Sequence, residues 1–463
     1  MKTNCSLVLI LIGLSVSLPS FAQAPYKRPP QDIIDIVEAQ PTPRASLSPG
    51  RRYMLLTEYE SMPDIAYMSQ PLLRIAGLRI TPDYNSRQRT SFNTGFLIRD
   101  LAGSSETRVK GPAGAKLGSA AWSNNDQWLA FAQYSDRGVS LWRAEAKTGD
   151  TKLLLDKTLN MTMGNGFLWL PDNQHILAYT LPEGRGAPPQ VNRVPTGPTI
   201  QATSGKVSKV RTYQDLLTNA HDEALFNYYT TSQLALVNTA NGKVKELGRP
   251  GIYTSVSYSP DGTYLLVNRI KRPYSYMVTY RSFAHAYELW NSKGEYVRTI
   301  ADLPLAEEVP LHGVAQGPRQ VSWRALTPAT LCWVEALDEG DPETEVEHRD
   351  CLMMWPAPFK RRAQEISKLK ERFSSLSWVE EKGLALLADY DWKKRWRTVS
   401  LIDVDDKGFQ SKTLFSLSTQ DRYADPGRAV FERVASGQSV VKSTDGSIFL
   451  SGSGASPEGD RPF

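Results

Sequence analysis

Side chains that bind metals are scarce in this chain of 463 residues, which has five histidines and three cysteines. The histidines stand far apart in the sequence, without the ligand spacing of a metal site. Phosphate-binding signatures are also missing, since the chain has neither a P-loop nor the paired glycines of a dinucleotide site. We therefore expect no metal and no cofactor.

The chain also lacks the signature of a serine hydrolase. A nucleophile elbow would appear as Gly-x-Ser-x-Gly at a turn between a strand and a helix, and that pattern is absent. The nearest run, residues 451–456, has the wrong spacing and no helix after it. Four acidic residues near one hairpin tip could resemble an acid/base pair, but a solvated tip explains them better: Asp338, Glu339, Asp341 and Glu343. We therefore predict no catalytic residue.

A strong charge of one sign is lacking as well. The net charge is only +5, with 54 basic and 49 acidic residues. The short basic runs at 360–362 and 393–395 are typical of a solvated surface, so we expect no nucleic-acid partner. No segment beyond the N-terminus has the length and purity of a membrane span.

The N-terminus has the pattern of a signal peptide. Lys2 supplies the positive charge, residues 7–18 are an apolar core, and Ser20 and Ala22 are small residues at a cleavage site. Cys5 lies before the apolar core, unlike a lipoprotein cysteine. We predict a signal peptide over 1–22 and export to the periplasm or the cell exterior.

What the chain does contain is a repeated hairpin, clearest at residues 255–267. Apolar and polar residues alternate as far as Tyr258, Ser259-Pro-Asp-Gly262 forms a tight turn, and a new apolar strand begins at Tyr264. Looser copies of this first hairpin type occur at 47–57, 121–131, 167–178, 321–333, 376–386 and 441–450.

A second hairpin type alternates with the first, and its polar turn usually ends in glycine. It occurs at 95–103, 139–149, 234–242, 287–294 and 399–408, with a degenerate copy beginning at Cys351. Each pair of hairpins supplies four antiparallel strands, which is one blade of a β-propeller. We predict an all-β fold, a propeller over 23–463 with seven or eight blades in the complete protein.

The spacing between repeats is uneven, which indicates insertions. The clearest is 181–229, where a Pro-rich loop precedes an amphipathic helix over 211–226. A second helix is predicted around 364–373, and 33–37 is strand-like. Seven hairpins of the first type meet six of the second, so the last blade lacks strands. We expect the natural protein to continue or this chain to be a truncated product.

Cys332 and Cys351 fall in two predicted strands around the acidic turn at 338–342. Folding that hairpin about Asp341 and Pro342 sets the cysteines opposite each other, where a disulfide can form in an oxidising compartment. Two buried free thiols are the alternative.

Several stretches resemble the N-terminal half of bacterial glutamyl endopeptidase-like members of the prolyl oligopeptidase family. Together they extend nearly from end to end of the mature chain, and as a set they are fairly specific. They are Val194-Pro-Thr-Gly-Pro198, Arg211-Thr-Tyr-Gln-Asp-Leu-Leu217, Ser259-Pro-Asp-Gly262, Arg272-Pro-Tyr-Ser275, Gly317-Pro-Arg319 with Trp323-Arg324, Trp333-Val-Glu-Ala-Leu-Asp338 with Gly340-Asp-Pro342, Arg349-Asp350 and Gly454-Ala-Ser-Pro-Glu-Gly459.

The resemblance implies an exported serine peptidase that favours bonds after Glu and whose propeller screens peptide substrates. Its partner would be a C-terminal α/β-hydrolase domain carrying a Ser-Asp-His triad. Because this chain departs from the family by lacking the nucleophile elbow, we expect it to be inactive alone. A preference for Glu requires a nearby cation. The matching stretches offer five arginines for that contact, each with a structural ion pair as the alternative: Arg211, Arg272, Arg319, Arg324 and Arg349.

Two other functions stay open. The chain could be an exported propeller that binds a protein or peptide without catalysis, because propeller loops cluster on two faces. A propeller enzyme with its site inside the ring is the third option, although no convergent His, Asp or Glu group is evident in the sequence.

Overall fold

The computed structural model describes residues 27–112, 114–191, 212–381, 383–406 and 411–463. The predicted signal peptide and Arg211 lie outside these residues. The chain divides into two compact units, 1–41 and 42–463. None of the helices in the described part of the chain has the length and apolar composition that a membrane crossing requires.

The described part of the first unit contains a helix, Gln31–Glu38, where the sequence suggested a strand over 33–37. Pro30 occupies the position before the first helical residue, Asp32 lies in the first turn, and the Gln31 side chain donates to Asp35 at 2.7 Å. The acidic residue in the first turn and the i,i+4 pair favour a helix, and they outweigh the strand preference of the isoleucines and the valine.

The second unit is built from sheets of four antiparallel strands, which confirms the predicted all-β propeller fold. Blade 1 consists of Arg44–Leu47, Tyr53–Tyr59, Asn93–Asp100 and Glu106–Arg108. Blade 2 consists of Lys116–Trp122, Trp128–Ser135, Gly138–Glu145 and Thr151–Leu155. Blade 3 consists of Phe167–Trp169, His175–Thr180, Ser232–Asn238 and the first part of Val244–Tyr258.

Blade 4 begins within the same long strand, because Val244–Tyr258 pairs first with Ser232–Asn238 and then with Tyr264–Ile270. It continues with His285–Asn291 and Tyr296–Leu303. Blade 5 consists of Arg319–Trp323, Thr330–Ala336, Asp350–Pro356 and Gln364–Leu369. Blade 6 consists of Arg372–Trp378, Leu384–Asp391, Trp396–Asp403 and Lys412–Ser418.

Because neighbouring strands run antiparallel, the connections of each blade alternate between two ends of the sheet. Both predicted hairpin turns of a blade therefore lie at one end, which we call the turn face. The connection between the second and third strands, and the one to the next blade, lie at the other end, the insertion face. Among the residues that the structure describes, the long connections are at that second end: 60–92, 156–166, 181–191 with 212–231 (together the 181–231 connection), 271–284, 304–318 and 337–349.

On the turn face, the first turns of blades 1, 2 and 4 share one arrangement. A buried serine hydroxyl accepts the backbone N–H five residues later, at 3.0 Å in each case: Ser48 with Tyr53, Ser123 with Trp128, and Ser259 with Tyr264. The residue three positions after each serine has a positive φ, and in blade 4 it is Gly262 at 71°. In these three turns the serine hydroxyl pairs a backbone N–H of the following strand and so stabilises the turn.

Neighbouring blades are joined by hydrogen bonds between their turns. The Gly50 N–H donates to Asp126 at 2.9 Å, and the Asn125 N–H donates to Asn173 at 3.1 Å. The Asp261 N–H donates to the Pro328 carbonyl at 3.0 Å. These bonds join blades 1 to 2, 2 to 3 and 4 to 5, so the turn sequences stabilise packing between blades as well as local geometry.

The insertion face has a hydrophobic core of its own. A small sheet, Leu73–Ile75, Leu78–Thr81 and Ser86–Arg87, lies in the 60–92 connection together with the helix Ile65–Met68 and the 3₁₀ turn Pro82–Tyr84. Its side chains pack with those of three other connections; the core includes Ile80, Met163, Leu217, Phe226, Val278 and Phe283. Inserted segments that would otherwise be solvent-exposed loops are thus packed together.

Both helix predictions in the second unit require correction. The helix of the 181–231 connection is Ala220–Thr230, not 211–226, because Asn219 caps its start by accepting the Asp222 N–H at 3.0 Å. Residues 364–373 form no helix; they contain Gln364–Leu369 and the start of Arg372–Trp378. There, pairing with the strands of blades 5 and 6 overrides the helical spacing of the apolar residues.

The seventh predicted hairpin, 441–450, is a pair of two-residue strands, Ser443–Thr444 and Ser447–Ile448. A longer hairpin precedes it, Phe431–Arg433 with Ser439–Val441. The remaining short pairs are Arg428–Ala429 with Leu450–Ser451 and Ala455–Ser456 with Gly459–Asp460. Val440 and Val441 are fully buried against blades 5 and 6, so the apolar residues serve packing between segments.

The two cysteines do not face each other, and both thiols are free and buried. The register places Cys332 opposite Met354 and Cys351 opposite Glu335. Positions 332 and 335 differ by an odd number along one strand, so the thiols point to opposite faces of the sheet. The disulfide expected from folding the hairpin at Asp341 and Pro342 therefore does not form in this register.

Candidate functional site

Two adjoining cavities open on the insertion face. The larger has a volume of about 990 Å³ and lies along the connection between blades 4 and 5. The smaller, of about 470 Å³, lies between the 60–92, 156–166 and 271–284 connections and the ends of the blade 4 strands. Arg281 and His285 line both cavities, so these two side chains mark the centre of the candidate site.

Tyr280 and Arg281 belong to a 3₁₀ turn, Tyr280–Ser282, that is fixed at both ends by backbone hydrogen bonds. The Tyr280 N–H donates to the Ala76 carbonyl at 2.9 Å, and the Ala306 N–H donates to the Ser282 carbonyl at 2.9 Å. The turn is therefore held between two other connections, 60–92 and 304–318. Its position is set by the inserted segments, because a blade alone offers no such partner.

Arg87, on the opposite wall of the smaller cavity, is half-buried. Its Nε donates to the Thr162 carbonyl at 2.8 Å, and one Nη donates to the Tyr280 hydroxyl at 3.0 Å. Both acceptors are neutral. The Arg87 guanidinium lies 5.7 Å from the centroid of the Tyr280 ring, and so does that of Arg281, which brings two cations to one aromatic side chain.

His285 and Asn268 complete the polar wall. The Nδ1 of His285 lies 2.9 Å from the Phe283 carbonyl; a neutral ring that donates there leaves Nε2 as an acceptor. The Oδ1 of Asn268 is buried and has no hydrogen-bond partner among the described residues. The wall thus has cationic donors and free acceptors close together.

A buried hydrogen-bond network holds this wall in place. Asn160 donates to the Tyr229 carbonyl at 3.0 Å and to the Thr231 carbonyl at 2.9 Å. Its Oδ1 accepts the Thr162 N–H at 3.0 Å, and Asn85 also donates to the Tyr229 carbonyl at 3.0 Å. The network joins the 60–92, 156–166 and 181–231 connections, so Arg87 is supported by neighbouring insertions.

The arginines predicted as substrate contacts lie elsewhere. Arg211 is outside the described residues, and the other four pair with carboxylates. The pairs are Arg272 with Glu223, Arg319 with Asp350 at 2.6 Å, Arg324 with Asp405 at 2.6 Å, and Arg349 with Asp338 at 2.8 Å. None of these four is among the described residues that line the two cavities.

Arg87 and Arg281, the arginines that do line the smaller cavity, were not among the contacts predicted from the sequence. Both lie in connections without hairpin periodicity, and 193 residues separate Arg87 from its partner Tyr280. The nearest signal was Arg272-Pro-Tyr-Ser275, which lies in the same connection as Arg281. Within the described residues, no group of three or more His, Cys, Asp or Glu side chains is placed to hold a metal ion.

Two plant proteins with the same name are similar to this chain in sequence. The chain is 39% identical over 468 residues to a probable chloroplastic glutamyl endopeptidase of Oryza sativa subsp. japonica, covering 96% of this chain and 50% of that protein. It is 37% identical over 462 residues to a probable chloroplastic glutamyl endopeptidase of Arabidopsis thaliana, covering 95% and 48%. No family model matches the chain.

Among solved structures, one from work on two prolyl endopeptidases aligns with 89% of this chain and 52% of its own length, at 14% identity and a TM-score of 0.43. At these values the likeness says nothing about this chain's activity. The chain spans about half the length of the curated relatives it matches. Across nearly all of its own residues, therefore, this propeller is a relative of the probable glutamyl endopeptidases.

Proposed function

We propose that this chain is the propeller of a serine peptidase of the prolyl oligopeptidase family, with a preference for cleavage after Glu. The propeller admits and orients peptides, and an α/β-hydrolase domain with a Ser-Asp-His triad cuts them. The observation that carries the proposal is the identity of 39% over 96% of this chain and 50% of the rice relative. The other half of the rice relative lies outside the match, and a domain with a second function can occupy it.

The chemistry of these residues agrees with such a division. No Gly-x-Ser-x-Gly occurs in the sequence, so a hydrolase nucleophile of the family type would come from another domain. The cavities, of about 990 and 470 Å³, are within the usual volume range of ligand sites. The chain would thus bind and select, and its partners would be the hydrolase domain and the peptide.

Export is part of the proposal. Lys2, the apolar residues 7–18 and the small residues Ser20 and Ala22 support a signal peptide that is removed after Ala22. Protein purified from the periplasm or the medium should then begin at Gln23, which mass spectrometry of the N-terminal peptide measures. Protein that remains in the cytoplasm with Met1 or Lys2 at its start would contradict export.

The test of function uses blocked peptides with one internal Glu, or Gln as the control, and a fluorophosphonate label for reactive serines. This chain should neither cleave nor become labelled. The DNA after the Phe463 codon is then read. An in-frame continuation into Gly-x-Ser-x-Gly, with Glu-specific cleavage by that longer product, supports the proposal. Cleavage by this chain, blocked by the label, overturns the division of labour.

An immediate stop codon with stable, inactive protein would instead support the exported binding propeller without catalysis. The same peptides then serve as ligands in binding measurements.

A further inference from the structure

The smaller cavity carries an unbalanced positive charge. Its described lining residues include Arg87, Arg281 and His285, and none of them is Asp or Glu. Across the described residues no acidic side chain forms an ion pair with Arg87 or Arg281, although most arginines named above do have such a partner. A charge placed in a cavity without a counterion favours an anionic ligand.

Arg87 makes the strongest case for such a ligand. Its side chain is half-buried, and among the described residues its hydrogen bonds go to the neutral Thr162 carbonyl and Tyr280 hydroxyl. Burial of a guanidinium is costly unless a carboxylate compensates it. Those two bonds fix the guanidinium plane, and its remaining N–H groups make no hydrogen bond to a described residue, which suits recognition of a planar carboxylate.

The cavity also offers a hydrogen-bond acceptor. Asn268 Oδ1 is buried and has no partner among the described residues, and an unpaired buried acceptor costs free energy until a donor reaches it. A ligand with both a carboxylate and an N–H group would satisfy the arginines and Asn268 together. A peptide that contains an acidic residue has both groups close to each other.

The larger cavity is a poorer place for a carboxylate. Its wall contains the carboxylates Asp302, Glu308 and Glu339 beside Arg281, so it offers a carboxylate ligand a less positive lining than the smaller cavity does. Lys271 is already paired with Asp302. Within the candidate site, the cationic end is therefore the smaller cavity, and the peptide backbone can extend into the larger one past Arg281 and His285.

The geometry points to the smaller cavity as a carboxylate-recognition site for acidic peptides. Arg87 and Arg281 donate to the ligand's carboxylate, and Asn268 accepts one of its N–H groups. These are specificity residues, and they do no chemistry. The inference rests on the proposed function for the assumption that the ligand is a peptide.

Binding to this chain can be measured without any hydrolase domain, by isothermal titration calorimetry. The probes are acetyl-Ala-Glu-Ala-amide and its Gln counterpart, which differ only in the carboxylate. The Glu peptide should bind at least tenfold more tightly, and the difference should shrink as salt is added. Equal affinity of the two peptides would overturn the inference.

Single substitutions in this chain test whether the smaller cavity is the binding site. Arg281→Gln removes an exposed cation of the cavity, and Arg361→Gln removes an exposed arginine on the turn face that has no ion pair among the described residues. The first should abolish the preference for the Glu peptide, and the second should leave it unchanged. Equal effects of the two, or no effect of Arg281→Gln, would contradict the assignment.

Arg87→Gln should also remove the preference, and circular dichroism with thermal unfolding checks that this half-buried substitution leaves the fold intact. A peptide with a free C-terminal carboxylate and no acidic side chain, acetyl-Ala-Ala-Ala, separates the two sources of the carboxylate. Tighter binding of that probe than of the Glu peptide assigns the site to chain ends, and the reverse assigns it to Glu side chains.

These results are independent of the peptidase test. A longer product that cleaves after Glu, together with no preference in binding to this chain, would reject the cavity and keep the proposed function. A clear preference in binding, with no cleavage by a longer product, would do the opposite.

Discussion

Two fully buried carboxylates, Asp338 and Asp350, are neutralised by arginines of blades 5 and 6. Arg372 donates to both, Arg349 donates to Asp338 at 2.8 Å, and Arg319 donates to Asp350 at 2.6 Å. Burial of ionised groups without such partners would be strongly unfavourable. The cluster therefore explains why three arginines occur close to an acidic hairpin. Two of the sequence-predicted contacts, Arg319 and Arg349, form ion pairs within blade 5, and Arg372 joins the same carboxylates to blade 6.

Because of Asp338, the free energy of unfolding should depend on pH in the acidic range. Burial alone would raise its pKa, but hydrogen bonds and charge from Arg372 and Arg349 outweigh burial and hold the pKa below the ordinary value. Its contribution is fully present above the unfolded pKa of about 3.9 and is lost as the pH falls through the folded value. Asp338→Asn should therefore lower the unfolding free energy by about 3 kcal/mol at pH 7 and by less at pH 3, as measured by urea unfolding.

The exposed Asp445, changed to Asn, is the matched control, and its variant should retain the acid dependence of the unmodified protein. If Asp338→Asn has the same pH profile as that control, the cluster does not stabilise the fold in this way.

The free thiols give a second prediction at the residue scale. Burial raises the pKa of Cys332 to about 11 and that of Cys351 to about 12, so neither forms much thiolate at neutral pH. Both should react slowly with a thiol reagent in the folded protein. Both should react fully in denaturant without any reductant, because the sheet register keeps them apart. Mass spectrometry that finds a Cys332–Cys351 linkage would show a different register in solution.

At the scale of single elements, the repeated turn is the best-defined unit. In blade 4, Gly262 has a φ of 71°, and a Cβ added there would have no atom within 4 Å. Replacement by alanine therefore tests backbone conformation alone. Gly262→Ala should lower the unfolding free energy by about 1 kcal/mol, measured by urea unfolding.

Gly111→Ala is the control for that turn, since a Cβ there also has open space and the backbone needs no positive φ. It should be neutral or slightly stabilising. An equal loss in the two variants would mean that the left-handed conformation is not what requires Gly262.

Strands and their turns could be predicted from the sequence because alternation and turn residues are local signals. Residues 255–267 illustrate this, as the predicted turn at Ser259 to Gly262 is the one observed. The helix of the 181–231 connection begins later in the sequence than predicted. The cap at Asn219 sets its start and outweighs the apolar spacing of Leu216 and Leu217. Residues 364–373 were assigned to a helix from their apolar spacing, but this stretch belongs to two neighbouring hairpins, in which Gln364–Leu369 pairs with Asp350–Pro356 and Arg372–Trp378 pairs with Leu384–Asp391.

The candidate site could not be predicted for a related physical reason. Its cations come from two connections, and only the packing of the inserted core brings Arg87 to Tyr280. No local pattern marks an arginine that lacks a carboxylate partner. The prediction from the family-like stretches included four arginines that form ion pairs with carboxylates in the fold: Arg272, Arg319, Arg324 and Arg349.

At the scale of the whole propeller unit, the inserted connections behave as one layer that is held by few polar groups. Asn160 is fully buried and makes hydrogen bonds to three residues of that layer. Asn160→Ala should leave the Thr231 carbonyl and the Thr162 N–H without the partner that Asn160 provides, and should cost about 3 kcal/mol. Hydrogen exchange should rise mainly in 73–92 and 212–231, and less in the blade strands.

Asn241→Ala, in an exposed turn on the other face, is the control and should leave exchange in those segments unchanged. A uniform rise over all blades in the Asn160 variant would show that the layer does not open separately from the propeller.

The hairpin of Phe431–Arg433 and Ser439–Val441 connects distant parts of this unit. Val441 bridges to Val379 of blade 6, Glu432 lies 3.9 Å from Arg51 of blade 1, and Gly437 lies beside Asn124 of blade 2. Contacts to the first and last complete blades from one short segment limit how far those blades can separate.

The division of the connections between two ends has a practical use. The turn at Asn241 and Gly242 is on the turn face, and a Cβ at Gly242 would meet no neighbour. A surface-attachment tag inserted there would anchor the molecule with its arginine-lined opening directed away from the support, so ligand capture on a sensor chip would proceed unobstructed.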